Sequence, residues 1–415
     1  MASETVCVLE RPSISESVSW PGVSRGYRPE LDAVRFLAFL LVFIHHALPR
    51  DPGAATIGDA FSSPGHGFGR YLLAAFANSC GMGLCLFFAL SAYLITDLLL
   101  SEREAKGAVS VKRFYLRRVL RIWPLYVFGI VIGVTIAWAH CSRQELIMLA
   151  GYLLFAGNVY AARFAANFGW STNPMTPLWS ISIEEQFYLV WPWAMRFLSR
   201  RGLGLCALLF VAAANLTLFL LGQNHADTDT GVWASTFVQF EMFAVGILLA
   251  LIVRQTGKSN PVAGCGLVLS GPILWLLACA TFHIKQAGPF RLAANGPTLM
   301  AGYALVALGC AAVLRGAMMI GSLHTPHWMA ALGKISYGLY VYHLLAGLVA
   351  IHILHDAQIA SIPLLGRIPR LERVATILLQ FLLTVLAAKL SYKWLESPFL
   401  RLKRRFELVH ARPVD

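Results

Sequence analysis

A chain of 415 residues that is 57% hydrophobic and 13% charged, with a mean hydropathy of +0.63, must turn most of its length toward lipid or toward itself. That balance excludes an ordinary soluble globule. The net charge of +13 falls in short loops between apolar runs, the positive-inside pattern of a membrane protein, and so argues against a nucleic-acid-binding surface.

In chain order, the first 30 residues are polar and contain Pro and Ser, with no apolar core and no small-residue cleavage site. Residues 1–30 are therefore expected to be a disordered cytoplasmic leader rather than a signal peptide. A membrane span needs about 20 mostly apolar residues. Ten segments qualify, starting near Ala33, Gly81, Arg118, Pro177, Gly202, Trp233, Val262, Pro297, Ala331 and Val374. They predict an all-α, polytopic transmembrane helix bundle over 31–400, with both termini cytoplasmic and a basic cytoplasmic tail over 401–415. No stretch reads as an appended soluble domain, and no internal repeat is apparent.

Segment 144–162 resembles an eleventh span, and charge decides against it. If it crossed, Arg196, Arg200 and Arg201 would lie outside with Arg254 and Lys258. Without that crossing they face the cytoplasm, together with the 103–121 loop, Arg315 and Lys403-Arg404-Arg405, while Asp227 and Asp229 fall outside. Lys285 with Arg291, and Arg367, Arg370 and Arg373, are exceptions to the pattern. Segment 144–162 is expected to be re-entrant or packed within the bundle.

Polar residues inside these runs mark the candidate site. An Arg at a span centre costs roughly 2.5–3.5 kcal/mol on insertion scales and usually lines a pathway or site. In the first span Arg35 and His46 are eleven residues apart, roughly 16 Å along a helix axis, and share one face to within about 20°. Asp32 can pair with Arg35 at i, i+3, whereas His45 points about 80° away from Arg35. The third span opens with Arg113, Arg117 and Arg121 at i, i+4 spacing and Arg118 beside them. These read either as a topogenic cluster or as a phosphate site, since guanidinium forks suit phosphates.

The span opening at Thr176-Pro177 carries an N-cap residue before a first-turn proline. It puts Glu184 and Glu185 at a depth comparable to His46, which makes an imidazole–carboxylate acid–base pair the expectation. Of the two, Glu184 lies on the more polar side with Ser180, Tyr188 and Trp191. Glu241 is a candidate for lining the groove. His324, His327, His352 and His355 read as loop or interface residues, and no metal site is expected. The eight cysteines lack metal spacing, and most fall in spans as small core residues (Cys80, Cys85, Cys206, Cys265, Cys279, Cys310).

A set of motifs in fixed order resembles the acyltransferase-3 family of integral membrane acyltransferases across nearly the whole chain. It comprises Leu31-Asp32-Ala33-Val34-Arg35 followed by His46, then Phe87-Phe88-Ala89-Leu90-Ser91, then Arg118-Val119-Leu120-Arg121-Ile122-Trp123-Pro124. The most specific is Leu178-Trp179-Ser180-Ile181-Ser182-Ile183-Glu184-Glu185-Gln186-Phe187-Tyr188-Leu189. Ile335-Ser336-Tyr337-Gly338-Leu339-Tyr340 with His343, and Glu396-Ser397-Pro398, complete it. Ala92 departs from the family's usual glycine after the serine.

The resemblance implies a membrane O-acyltransferase of the bacterial inner membrane. It would move an acyl group from cytoplasmic acyl-CoA, with acetyl-CoA the expected donor, to a hydroxyl of a cell-surface glycan or glycosylated small molecule. Arg117, Arg118 and Arg121 would hold the donor phosphates. Arg35, oriented by Asp32, would guide the pantetheine arm. His46 would act as base or transient acyl carrier, and Glu184 would orient it. Tyr337, Tyr340 and His343 are read as packing and hydrogen-bonding groups. Any relay to an extracellular domain would need a separate periplasmic protein. The rival reading is a proton-coupled transporter or flippase using the same buried Arg, His and Glu; such proteins often show paired halves, and none are evident here.

Overall fold

A span in lipid has no water to satisfy its backbone, so its N–H and C=O groups must pair within the segment, and apolar runs of this length become helices. A computed structural model of the chain describes residues 27–48, 68–168, 172–223, 231–253, 260–282, 284–286, 292, 295–356 and 369–407. The expectations for the leader up to residue 26, for Asp227, Asp229, Arg254, Lys258, Arg291 and Arg367, and for the tail beyond 407 lie outside the described residues.

Helix α1 (Pro29–Ala47) is followed by α2 (Phe68–Ser79), which passes through one 3₁₀ turn into α3 (Gly83–Lys106). Next come α4 (Val111–Ala139), α5 (Arg143–Leu153), α6 (Gly157–Phe168), α7 (Trp179–Phe197), α8 (Arg200–Gln223), α9 (Thr236–Val253), α10 (Pro261–Thr281) and α11 (Gly296–Ile320). The short α12 (His327–Lys334) leads into α13 (Ser336–Asp356) and α14 (Pro369–Ser391), and a π-turn at Tyr392–Glu396 connects to α15 (Ser397–Lys403). Among the described residues 8 helical runs are long and apolar enough to cross a membrane. Helices α1 and α7, 19 residues each, are of similar length but carry the charged residues singled out above.

Three elements differ from their sequence-based expectations. The run starting near Gly81 begins earlier, because amphipathic α2 packs on α10 and continues into α3. The run starting near Ala331 is broken into α12 and α13, where α12 packs against α1 and the Asp32 backbone leaves no room for a side chain at Gly333. Thr176 does not cap α7. It sits in a 3₁₀ turn, and its Oγ1 donates instead to the Asn173 carbonyl at 2.6 Å.

Segment 144–162 is two short helices, α5 and α6, joined by a turn in which Phe155 has φ 52°. At about 1.5 Å rise per residue neither reaches across a hydrocarbon core of about 30 Å. The broken backbone is satisfied from within the bundle. Gln186 Nε2 donates to the Phe155 carbonyl at 2.5 Å and to Asn158 Oδ1 at 3.0 Å, while the Tyr152 hydroxyl donates to the Thr176 carbonyl at 2.9 Å. Irregular backbone survives at membrane depth only with such partners.

Lipid offers no hydrophobic drive between helices, so close packing and hydrogen bonds hold them. Phe187 of α7 stacks on Phe243 of α9 with ring centroids 4.4 Å apart, and Trp191 Nε1 donates to Thr96 Oγ1 of α3 at 2.9 Å. Helix α9 crosses α3 at Gly246, where a β-carbon would overlap the Ala89 carbonyl oxygen and come within 2.8 Å of the Ala92 methyl. The alanine that departs from the family pattern therefore helps form a tight helix contact. Gly246→Ala is expected to cost about 1–3 kcal/mol through overpacking, read as a lower melting temperature in detergent; an unchanged melting temperature would mean the crossing relaxes freely.

Candidate active site

Three cavities follow the length of α1. The first, about 160 Å³, lies at the α1 N-terminal end and is lined by Arg28, Arg35, Arg117, Arg118, Arg121 and Lys403 among others. The second, about 100 Å³, shares Arg35, Ser91, Arg118 and Arg121 with the first and adds Glu184, Tyr188 and Tyr340. The third, about 760 Å³, lies at the α1 C-terminal end and holds His45, His46, Asn173, Trp179, Lys285 and Gln380. Tyr340 borders the second and third cavities. Its hydroxyl lies 2.7 Å from Ser180 Oγ and donates to the Pro177 carbonyl at 3.1 Å, so Tyr340 and Ser180 form a partition between the two.

Local geometry explains each side chain. Arg35 Nη1 donates to Asp32 Oδ1 at 2.6 Å, the i, i+3 pair on one helix face, and Asp32 also accepts from the Tyr27 hydroxyl at 2.8 Å. The basic stripe of α4 separates into different roles. Arg113 is exposed. Arg117 is committed to the protein, its Nη2 pairing with the buried Glu102 carboxylate at 2.8 Å and its Nη1 donating to the Phe406 carbonyl at 3.0 Å. Arg118 lies between the Phe114 and Tyr188 rings, its guanidinium carbon 5.4 and 5.3 Å from their centroids, and its buried Nε has no hydrogen-bond partner among the described residues. Cation–π contact compensates part of that desolvation.

Glu184 Oε2 accepts from the Tyr188 hydroxyl at 3.0 Å, and Tyr188 in turn meets Ser91 Oγ at 2.5 Å. With Tyr188 donating to the carboxylate, Ser91 donates to Tyr188. Glu184 thus faces the arginine-lined cavity, consistent with its expected polar side. It does not meet His46. The two residues line different cavities, with Tyr340 and Ser180 between, so the expected His46–Glu184 pair is corrected. Equal depth on two helices does not bring side chains together when a third helix intervenes. His46 meets His343 instead, whose Nε2 lies 3.2 Å from His46 Nδ1. His45 Nδ1 donates to the Ala77 carbonyl at 2.8 Å and packs on Gly81, a structural contact. Glu185 and Glu241 each bury one carboxylate oxygen without a hydrogen-bond partner among the described residues, and Glu241 is not among the residues lining these three cavities.

The site therefore brings together Arg35, Arg118, Arg121 and Glu184, holds Arg117 in a buried ion pair at its edge, and sets His46 apart beside His343. Sequence reasoning missed two of its members. Lys403, taken as tail charge, lines the first cavity, because the helix runs on to Lys403 and through a 3₁₀ turn to Phe406, packing on α4. His343 follows Tyr340 by three residues in a recognisable motif, but its contact with His46 joins positions 297 apart.

An acyltransferase-domain family profile matches residues 28–393. The chain belongs to the acyltransferase-3 family. The match takes in His46, His343, Glu184 and the α4 arginines, and stops short of Lys403. Among curated relatives, the O-acetyltransferase OatA of Staphylococcus aureus strain NCTC 8325 / PS 47 is 24% identical over 388 residues, covering 90% of this chain and 57% of its own length. OatA of S. aureus strain COL matches to the same extent. The chain thus spans 57% of the length of these relatives. No solved structure matches.

Proposed function

We propose that the protein is a multi-pass O-acetyltransferase of a bacterial inner membrane that carries an acetyl group from cytoplasmic acetyl-CoA to a glycan hydroxyl on the opposite side. The observation that carries this is the cavity series: an arginine-lined entry, a partition at Tyr340 and Ser180, and a large chamber holding His46. Family membership supports the reaction class, and the printed name of OatA supports the acetyl group. The positive-inside pattern supports ten crossings with both termini and the first cavity on the cytoplasmic side. Residues 31–400 act as one catalytic domain, and the basic cytoplasmic segment 401–415 adds Lys403 to its first cavity.

The donor phosphates bind Arg118 and Arg121, joined by Lys403. Arg118 supports this most directly, since an anion would satisfy its buried Nε. Arg117 contributes positive potential from its ion pair with Glu102. The pantetheine arm passes Arg35, held by Asp32, and the Glu184–Tyr188–Ser91 chain, and brings the thioester to the partition. On the other side His46 accepts the proton of the acceptor hydroxyl. Trp179 and Trp233 line this chamber with apolar rings and Gln380 with an amide, a combination suited to a sugar, while the Asn173 amide is committed to Gly133, Glu145 and Met175.

The test is label transfer from radiolabelled acetyl-CoA in membranes containing wild-type protein, with lipid and glycan extracts of the native host as acceptor pool. Labelled glycan or lipid-linked product is expected only with wild type and not with His46→Ala. No transfer from acetyl-CoA or longer acyl-CoAs by intact protein, with proton-coupled movement of a solute instead, would put the transporter reading in its place.

A further inference from the structure

The carboxylate expected to orient His46 is beyond the Tyr340–Ser180 partition, and the group that meets the imidazole is another imidazole. We infer that His343 is the positioning residue of the transfer site, holding His46 in the tautomer whose Nε2 is the base. This rests on the O-acetyltransferase reading above.

The tautomers follow from the partners. His343 is fully buried on α13, with Nδ1 2.6 Å from the carbonyl oxygen of Tyr340. A carbonyl only accepts, so Nδ1 carries the hydrogen and Nε2 of the neutral ring carries a lone pair. That lone pair faces His46 Nδ1 at 3.2 Å, and the Val42 carbonyl oxygen lies 2.9 Å from the same nitrogen. Two acceptors converge on His46 Nδ1, which therefore holds the hydrogen. The lone pair of His46 is on Nε2.

The surroundings of His343 keep it in place. The Phe39 ring meets it edge-on with centroids 6.3 Å apart, the Tyr340 ring lies 5.7 Å away, and Gln380 Nε2 donates to its backbone carbonyl at 2.9 Å. These three side chains are uncharged. A neutral imidazole thus does here what a carboxylate does for catalytic histidines elsewhere, without the cost of burying a formal charge.

In the transfer step the acceptor O–H proton moves to His46 Nε2 as the oxygen forms its bond to the thioester carbonyl carbon. The C–S bond then breaks, and the leaving thiolate takes the proton back from Nε2. While His46 is an imidazolium, its Nδ1–H bonds to His343 Nε2 and to the Val42 carbonyl spread the charge.

The test compares His343→Gln, whose amide oxygen can occupy the position of Nε2, with His343→Asn, whose shorter amide cannot. The full-length protein in nanodiscs is assayed for thiol release from acetyl-CoA with host glycan extract present. His343→Asn is expected to lose about 10- to 100-fold in kcat, the scale of loss when a group that orients a metal-bound imidazole is removed. Its donor KM should stay within about twofold, and His343→Gln should recover most of the rate. Equal rates for Gln, Asn and wild type, or equal losses for Gln and Asn at wild-type melting temperature, would overturn the assignment.

Histidine ¹⁵N spectra separate this outcome from failure of the enzymatic reading. The His46 resonances, identified by their disappearance in His46→Ala, should report an Nδ1–H tautomer in wild type and a mixture in His343→Asn. Identical His46 resonances in both proteins would overturn the pairing even if wild type transfers no acetyl group.

Discussion

Replacing His46 with alanine is expected to lower acetyl transfer by about 10²- to 10⁴-fold, the usual contribution of a general base, while the bundle stays assembled. His46 is only partly buried on the wall of the third cavity, and it hydrogen-bonds to Val42 of its own helix. Its removal opens no void in the packed core. His45→Ala is the informative contrast. That ring is buried, donates to the Ala77 carbonyl and fills the space beside Gly81. Its loss removes that buried hydrogen bond and the contact with Gly81, at about 1–3 kcal/mol of stability, and leaves the base in place. Initial rates at matched expression, with melting temperatures of both purified variants, check the pair. Equal loss of rate in the two would remove the case for His46.

The second large effect separates neighbouring arginines of one helix. Arg117→Ala leaves Glu102, 1% exposed, as a buried charge without its partner and also removes the bond to the Phe406 carbonyl. Breaking such a pair from one side costs about 3–5 kcal/mol, so the variant should melt far below wild type or fail to accumulate. Arg121→Ala is expected to fold normally and to raise the apparent KM for acetyl-CoA about 10- to 100-fold. That corresponds to losing a charged hydrogen bond of about 1.5–3 kcal/mol. Donor titrations and melting curves on both proteins decide it. An unchanged donor KM with lowered turnover for Arg121→Ala would make the α4 cluster topogenic only.

These two contrasts also mark where sequence patterns stop being informative. Arg117 and Arg121 share an i, i+4 stripe and look alike in the sequence. They differ because Glu102, fifteen residues earlier on α3, captures one of them. Similarly, the depth of Glu184 relative to His46 follows from counting residues along two helices, but depth is one coordinate of three. Rotation and lateral neighbours depend on how α13 inserts Tyr340 against Ser180, and that contact joins positions 160 apart.

The helical class, most of the long helices, the Asp32–Arg35 pair and the motif order that carries the family are legible along the chain alone. All of these follow from short-range causes: lipid forces the backbone to pair within each apolar run, and residues three or four apart on a helix meet directly. Helix packing, by contrast, turns Glu184 to the arginines, brings His343 to His46 and Lys403 into the first cavity, and lets Gln186 close the α5–α6 turn. Each is a contact between distant parts of the chain, chosen by which helices pack side by side and at what rotation, and no local pattern of apolar and polar residues encodes that choice.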